Sequence, residues 1–399
     1  MRDPEVPAPF ATGPDGVPVV VSSVRGSFPW SVLAHRHPAL IHKVRDAFPY
    51  GPEQRHALDA LLRNCAEGVV EPLAEPAADR GRWDAWGGRE YYGRSWFDLP
   101  FLWSESYFYR KLLEAVGYFE PGPWQGIDPF RPFKLAELDT PEAAAELAAL
   151  DGLALRPADE QEEALLRGSL WGNRADLGFS LAGTGGAAAA EERLVANDTE
   201  LLRSLLTGGT LCVVADNAGR ELVPDLLLVD HLLRHGRIGR AALHVKPYPY
   251  YVSDATAADV LDALRRLTAA KGAAGEAGNR LWAALSEGRL TLRAHPFACG
   301  PLPYADLPDD LRREFAAADV TLLKGDLNYR RLIGDRLYPA TTPFAVATAG
   351  FPGAVATLRT LKSDVVVGLT ASVEADLDAT EGDSWRTAGT HALIQARRG

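Results

Sequence analysis

Five short apolar runs recur through the second half of this chain: LCVVA (211–215), AALHV (241–245), LTLRAH (290–295), VTLLKG (320–325) and VVVGL (365–369). Each is too short for a helix. The stretches between them, such as ELVPDLLLVDHLLRH and AADVLDALRRLTAA, repeat apolar residues at three- and four-residue spacing. Continuous apolar strands alternating with amphipathic helices are what a parallel sheet covered on both faces requires. The fold class expected is therefore α/β, a doubly wound α/β/α sheet domain over residues 151–399. Before it the pattern is helical. HPALIHKVRDAF, EQRHALDALLRNCAEGV and FLWSESYFYRKLLEAVGYF have the helical period, which predicts a helical N-terminal region over 21–150. Residues 1–20, polar and proline-rich, read as a flexible lead. The Gly- and Ala-rich stretch LAGTGGAAAAEERL (181–194) reads as a mobile loop, because no good strand precedes its G-x-G-G.

Composition narrows the function classes. A net charge of −11 argues against nucleic acid or an anionic membrane as partner, since both are bound through clustered Lys and Arg. Three cysteines, widely spaced and without a C-x-x-C pair, predict no disulfide framework and no zinc ribbon. The first residues contain no apolar signal core, and no run approaches the ~18 apolar residues of a membrane span. The expectation is a cytoplasmic protein; its oligomeric state is not legible.

Chemistry concentrates where strands should end. In open α/β sheets, ligands bind in the crevice beyond the carboxyl ends of the strands. LCVVA runs into Asp216-Asn217, AALHV leads through KPYPYYVSD to Asp254, and VTLLKG leads into Asp326 and on to Arg330. Arg359 and Lys362 precede VVVGL. Carboxylate and amide oxygens are hard ligands suited to Mg²⁺ or Mn²⁺. Two carboxylates neutralise a divalent ion, and an uncharged Asn as third ligand avoids repelling an anionic substrate. Arg330 and Lys362 would clamp that anion, with phosphate the natural choice. A helix starting near Gly219 would add its N-terminal N–H groups, and Glu221 could orient a ligand or hold a sugar hydroxyl. Each residue also has a plainer reading. Asp-Asn-Ala-Gly suits a turn and N-cap, Ser253-Asp254-Ala-Thr suits an N-cap, GDLNYRRL suits a capped helix start, and a lone Lys362 suits a solvated surface. Arg234-His235-Gly236 matches the tripeptide of histidine phosphatases, but it follows a helical pattern and reads as a helix ending. GxSxG, HExxH, Walker A and C-x₅-R are absent.

Taken in order, FLWSESYFYRKL, DPFRPFK, SLWGNRADL, VANDTE, ADNAGRELVPDLLLVDHLL, HVKPYPYYVSDAT, GDLNYRRLIGD and LRTLKSDVVVGL make the chain resemble the metal-dependent damage-control phosphatases. The matching branch also carries the description of acidic-residue (protein-glutamate O-) methyltransferase-like. The resemblance spans roughly residues 30–370. It implies a helical region packed on an α/β/α domain and one divalent ion (Mn²⁺, Mg²⁺, Co²⁺ or Ni²⁺) held by Asp216, Asn217 and Asp254. It also implies substrate contacts at Glu221, at Asp326, Leu327, Asn328, Tyr329 and Arg330, and at Lys362. Arg220 departs from the family pattern, where an aromatic is common. The activity implied is hydrolysis of a small phosphorylated metabolite, most naturally a sugar phosphate, with Asp254 or Asp326 positioning or deprotonating water, or with a carboxylate of Asp216 or Asp326 as nucleophile. Two alternatives are methyl transfer from S-adenosylmethionine, for which no Gly-rich strand-to-helix loop is evident, and a pathway-specific step on a phosphorylated intermediate.

Overall fold

The computed structural model describes residues 12–13, 16–172 and 193–399. Most of the expected lead, the Gly- and Ala-rich stretch and the end of SLWGNRADL lie outside the described residues.

Seven strands form one sheet. They are β1 (Leu194–Asn197), β2 (Thr210–Val214), β3 (Arg240–Val245), β4 (Leu290–Ala294), β5 (Val320–Lys324), β6 (Val355–Thr360) and β7 (Ala392–Arg397), in the order β1-β7-β6-β5-β2-β3-β4. All neighbours pair in parallel except β6 and β7. From β2 the chain builds outward through β3 and β4 on one side, then returns to lay β5 and β6 on the other. The strand order thus reverses between β2 and β5, the position at which an open α/β sheet presents a crevice.

The apolar runs are continuous because both faces of the sheet are covered. Leu211 and Val213 enter one core, together with α6 (Ala158–Trp171), α7 (Leu222–Arg234), α8 (Ala257–Ala269) and α9 (Gly272–Ser286). Their alternates Cys212 and Val214 enter the other, with α10 (Asp309–Ala317) and α11 (Gly325–Ile333). The helical part lies earlier in the chain: α1 (His37–Ala47), α2 (Pro52–Glu67), α3 (Phe101–Ala115), α4 (Arg131–Leu138) and α5 (Pro141–Ala154). α1, α2 and α3 enclose a third core rich in aromatics, including Trp83, Trp96 and Tyr107. The three cysteines are buried and unpaired. Among the described residues no helix is long and apolar enough to cross a membrane.

Four of the five expected strands are present; VVVGL is not one. Val365, Val366 and Val367 are buried, which explains their apolarity. Their main chain, however, is satisfied by side chains. Tyr329 Oη accepts from Val367 N at 3.2 Å, and Gln395 Nε2 donates to Val367 O at 2.7 Å. The strand at this place is β6, slightly earlier, so Arg359 lies within it and Lys362 just beyond its carboxyl end. α7 ends at Arg234, and Gly236 follows with a left-handed φ of 68°, so Arg234-His235-Gly236 is a helix ending.

β7 is the last strand in the chain yet lies inside the sheet, between β1 and β6. Deleting residues from His391 onward removes the ladder partner of both neighbours. The truncated protein is expected to lose cooperative unfolding in circular dichroism melts, whereas deleting Arg398 and Gly399 alone leaves the melt unchanged.

Candidate metal and phosphate site

β2 ends and the chain turns outward through Ala215, Asp216 and Asn217. The segment after β3 returns to the same point, and Asn217 and Asp254 form an antiparallel bridge. Ala218 N donates to Ser253 O at 2.6 Å and Ala255 N to Asp216 O at 2.9 Å. Asp254, 37 residues beyond Asn217 in sequence, is therefore juxtaposed with Asp216 and Asn217 by main-chain bonds. Ser253-Asp254-Ala-Thr does supply the N-cap of α8, but the cap is Thr256, paired with Asp259 in a capping box, while Asp254 itself is 2% exposed and caps nothing. The N-cap before the turn at Gly219 is Ala218, so neither Asp216 nor Asn217 is a cap.

β5 supplies the opposite wall. Gly325 opens α11 with φ 82°, a left-handed conformation, and a Cβ there would lie 1.8 Å from Asp216 Oδ2. Only glycine lets the β5 turn pass so close to this carboxylate. The next residue, Asp326, accepts through Oδ1 from Arg359 Nε (2.8 Å), Lys362 N (3.2 Å) and Ser363 Oγ (3.1 Å). Burial works to raise its pKa, but Arg359 and Arg330 outweigh it and hold the carboxyl below the usual range. Asp326 thereby fixes the loop carrying Lys362. Among the described residues no carboxylate pairs with the Lys362 ammonium.

These groups line a chamber of about 680 Å³ bounded by the sheet crevice and by α1, α3 and α4. A smaller cavity of about 30 Å³, room for a water or two, lies between Asp216, Glu221, Lys324 and Lys362. Glu221 belongs to a single 3₁₀ turn, Gly219–Glu221, which runs into α7, and it accepts from Asn217 Nδ2 at 2.8 Å. That bond takes up the amide N–H and fixes which end of Asn217 donates.

Two corrections to the expected substrate set follow. Asn328 and Tyr329 do not line the chamber. Asn328 is buried, donating to Ala215 O (3.1 Å) and Lys324 O (2.8 Å) and accepting from Tyr304 Oη (2.8 Å). Tyr329 is buried against Arg359 and Gln395. The stripe of α11 that faces the chamber is Asp326, Leu327 and Arg330; Asn328 and Tyr329 lie off that stripe and serve to pin α11 to β2 and β7. Leu327 and Arg330 do line the chamber. Arg330, however, is paired through Nε and Nη2 with Asp335 (2.7 and 3.0 Å) and through Nη1 with Glu105 (2.9 Å). Among the described residues Lys362 lines the chamber with no carboxylate partner, as do Arg36 and Lys43 on its helical side. Arg220 lies outside the chamber, paired with Glu146 of α5.

Sequence reasoning missed the buried Glu105, Lys134, Lys246 and Lys324–Asp225 pair (2.9 Å), and the half-buried Tyr251. Glu105 lies inside FLWSESYFYRKL, Lys134 ends DPFRPFK, and Lys246 follows β3. Tyr251 Oη donates to Glu105 Oε2 at 3.1 Å.

The donor set suits a hard divalent ion. Asp254 Oδ2 is buried and makes no hydrogen bond; its nearest cation, Lys246 Nζ, stands 3.3 Å away off hydrogen-bonding geometry. Burial and the charges of Asp254 and Glu221 push Asp216 well above the ordinary carboxylate range, against Lys362 and Lys246. Among the described residues no group of three or more His, Cys, Asp or Glu side chains is placed to hold a metal ion, so a site here would have to count the Asn217 oxygen beside the two Asp carboxylates.

A doubly wound sheet with acidic and amide oxygens at its switch point and a lysine facing them defines the class to which sequence comparison also leads. A family model described as the damage-control phosphatase ARMT1-like domain matches residues 32–377. Proteins named damage-control phosphatase ARMT1 align along almost the whole chain. That of Danio rerio is 30% identical over 93% of this chain and 94% of its own, and that of Xenopus laevis is 31% identical over 94% and 97%. A DUF89 family protein from Pyrococcus horikoshii superposes with a TM-score of 0.48 at 15% identity, covering 93% of this chain and 98% of that one. The chain belongs to the ARMT1-like damage-control phosphatase family, and it is a phosphatase.

Two outcomes test this geometry. Gly325→Ala must relieve both a left-handed strain, ~1–2 kcal/mol, and the clash with Asp216; it is expected to lower stability by at least that much in urea and to abolish activity. Asp216 binds its proton more tightly folded than unfolded, so metal-free protein gains stability as pH falls from that raised pKa toward ~3.9, the ordinary Asp value. Asp216→Asn is accordingly expected to raise the neutral-pH Tm of metal-free protein by about 2–4 °C, the shift of a single kcal/mol in a large domain.

Proposed function

We propose that the protein hydrolyses small phosphomonoesters, sugar phosphates foremost, with one divalent ion held by Asp216, Asn217 and Asp254. The observation that carries the reading is the Asn217–Asp254 bridge, which gathers three oxygen-bearing side chains around a buried carboxylate oxygen with no hydrogen bond. The chamber volume lies within the range of small-molecule sites. When bound, the ion supplies neutralisation of charge on the phosphoryl oxygens.

The chain's own residues supply the rest. Lys362 donates to a phosphoryl oxygen, carried there by a loop that Asp326 and Arg359 lock in place. Preorganised donors of this kind need no costly reorganisation as charge develops, and so act mainly on the transition state. Asp326, held ionised, is a poor proton acceptor but a good orienter of water through its second oxygen. Asp254 is the better candidate to take the water's proton. As the water oxygen bonds to phosphorus, the ester P–O bond breaks; the proton ends on the departing alkoxide, giving inorganic phosphate and the free alcohol. Glu221 accepts from a sugar hydroxyl. Arg330 contributes through Glu105 and Asp335, holding the floor of the chamber.

The test is phosphate release from a panel of sugar phosphates by metal-stripped protein, with Mn²⁺, Co²⁺, Mg²⁺ or Ni²⁺ restored singly. Release that requires metal and falls at least 10³-fold in Asp216→Ala supports the reading. Lys362→Ala is expected to lose about 10²–10³-fold in kcat/KM, the usual cost of a single preorganised donor. Well-folded protein that releases no phosphate with any of these ions overturns the proposal, and calorimetric binding of S-adenosylmethionine would then favour methyl transfer.

A further inference from the structure

DPFRPFK is among the matching motifs to which the proposed chemistry gives no task. Its last residue, Lys134 in α4, is buried, 4% exposed, far from the solvated state usual for lysine. Its ammonium makes three contacts: Asp128 Oδ2 at 3.0 Å, Asp259 Oδ2 at 3.0 Å and the main-chain carbonyl of Asp254 at 2.9 Å. Three donors meet three acceptors, the full capacity of an ammonium. Asp259 Oδ2 also accepts from Thr256 N at 2.8 Å and Thr256 Oγ1 at 2.7 Å, at the start of α8. Asp128 Oδ1 in turn accepts from Phe130 N at 2.7 Å, fixing the start of the motif. One buried cation thus ties the helical part to both the carbonyl of Asp254 and the turn that follows it.

We propose that Lys134, held by Asp128 and Asp259, is a positioning residue for the metal centre: it sets the main chain of Asp254, so that a motif of the helical region governs how well the sheet domain holds its ion. This rests on the metal reading above. Lys134 touches the ligand's carbonyl and not its carboxylate, so it acts on geometry. Arg131, one turn earlier on α4, provides the control. It pairs with Asp262 of α8 at 2.7 Å, across the same helix–helix contact but away from Asp254, and is about two-fifths exposed.

The test measures Mn²⁺ binding by calorimetry and phosphate release as a function of Mn²⁺, with near-ultraviolet circular dichroism as the check on folding. Lys134→Met is expected to weaken Mn²⁺ binding at least tenfold, with much of the lost kcat restored at saturating Mn²⁺ and KM for the sugar phosphate within twofold. Arg131→Ala is expected to leave Mn²⁺ affinity within twofold. Asp128→Asn, which can keep the bond from Phe130 N through its Oδ1 while replacing the charged acceptor facing Lys134 with an amide N–H donor, covers the case in which Lys134→Met does not fold; it is expected to weaken binding two- to fivefold. Folded Lys134→Met or Asp128→Asn with wild-type Mn²⁺ affinity overturns the inference. Equal weakening in Arg131→Ala overturns it too, since it would point to helix docking in general. Wild-type protein that binds no Mn²⁺ removes the metal reading itself, a failure visible before any variant is made.

Discussion

Asp216 and Asp254 are placed beside one another by main-chain hydrogen bonds that take no account of their charge. The bridge at Asn217–Asp254 and the bonds on either side of it are made by backbone groups, which must be paired when buried. The fold therefore enforces a juxtaposition that electrostatics alone resists. The resistance is visible in the upward shift of Asp216, driven by burial and by the charges of Asp254 and Glu221. A site that is strained when empty and relieved by a cation is a reasonable way to make a weakly preorganised ion bind tightly, at some cost in stability.

The surrounding cations answer this charge in two different ways. Lys134, Lys246, Lys324, Arg330 and Arg359 are all buried, and each is engaged with a carboxylate or with main-chain carbonyls. Such pairs are costly to break from one side because the remaining charge is stranded. They fix geometry and are unavailable for substrate. Lys362 differs in lying only partly buried, with its ammonium unpaired by any described carboxylate, so it alone among these can transfer its hydrogen bonds to an arriving anion without leaving a buried charge behind.

Strand legibility in the sequence followed burial on two faces. LCVVA, AALHV and VTLLKG are apolar because both cores claim them, and period-free apolar runs are the signal of such strands. VVVGL carries the same signal from the same cause, burial, but its hydrogen bonds go to Tyr329 and Gln395. Composition reports burial and is silent on the partner of an N–H. β7 was illegible because ALIQAR is short and carries Gln395 and Arg397, which spend their polarity on buried carbonyls. The cluster of Asp216, Asn217 and Asp254 was legible because Asp and Asn at strand ends are chemically distinctive, and the bridge between Asn217 and Asp254 brings the three together. Within GDLNYRRL the contiguous motif misled: helical geometry sends Asp326 and Arg330 toward the chamber and Asn328 and Tyr329 away from it.

That same geometry explains why a single helix carries both kinds of residue. α11 must sit with its first turn against Asp216, which Gly325 permits, and the buried amide of Asn328 sets the distance by bonding Ala215 O and Lys324 O together. Those carbonyls end β2 and β5, the two strands at which the sheet order reverses. At a switch point the helices that follow the two strands diverge to opposite faces, leaving strand-end carbonyls that no neighbouring main chain reaches. An amide with two N–H groups spans them, where a carboxylate could not donate and a hydroxyl could not reach both. Asn328 therefore belongs to the site without facing it: it keeps the crevice at the width at which Asp216 and Asp326 share one chamber.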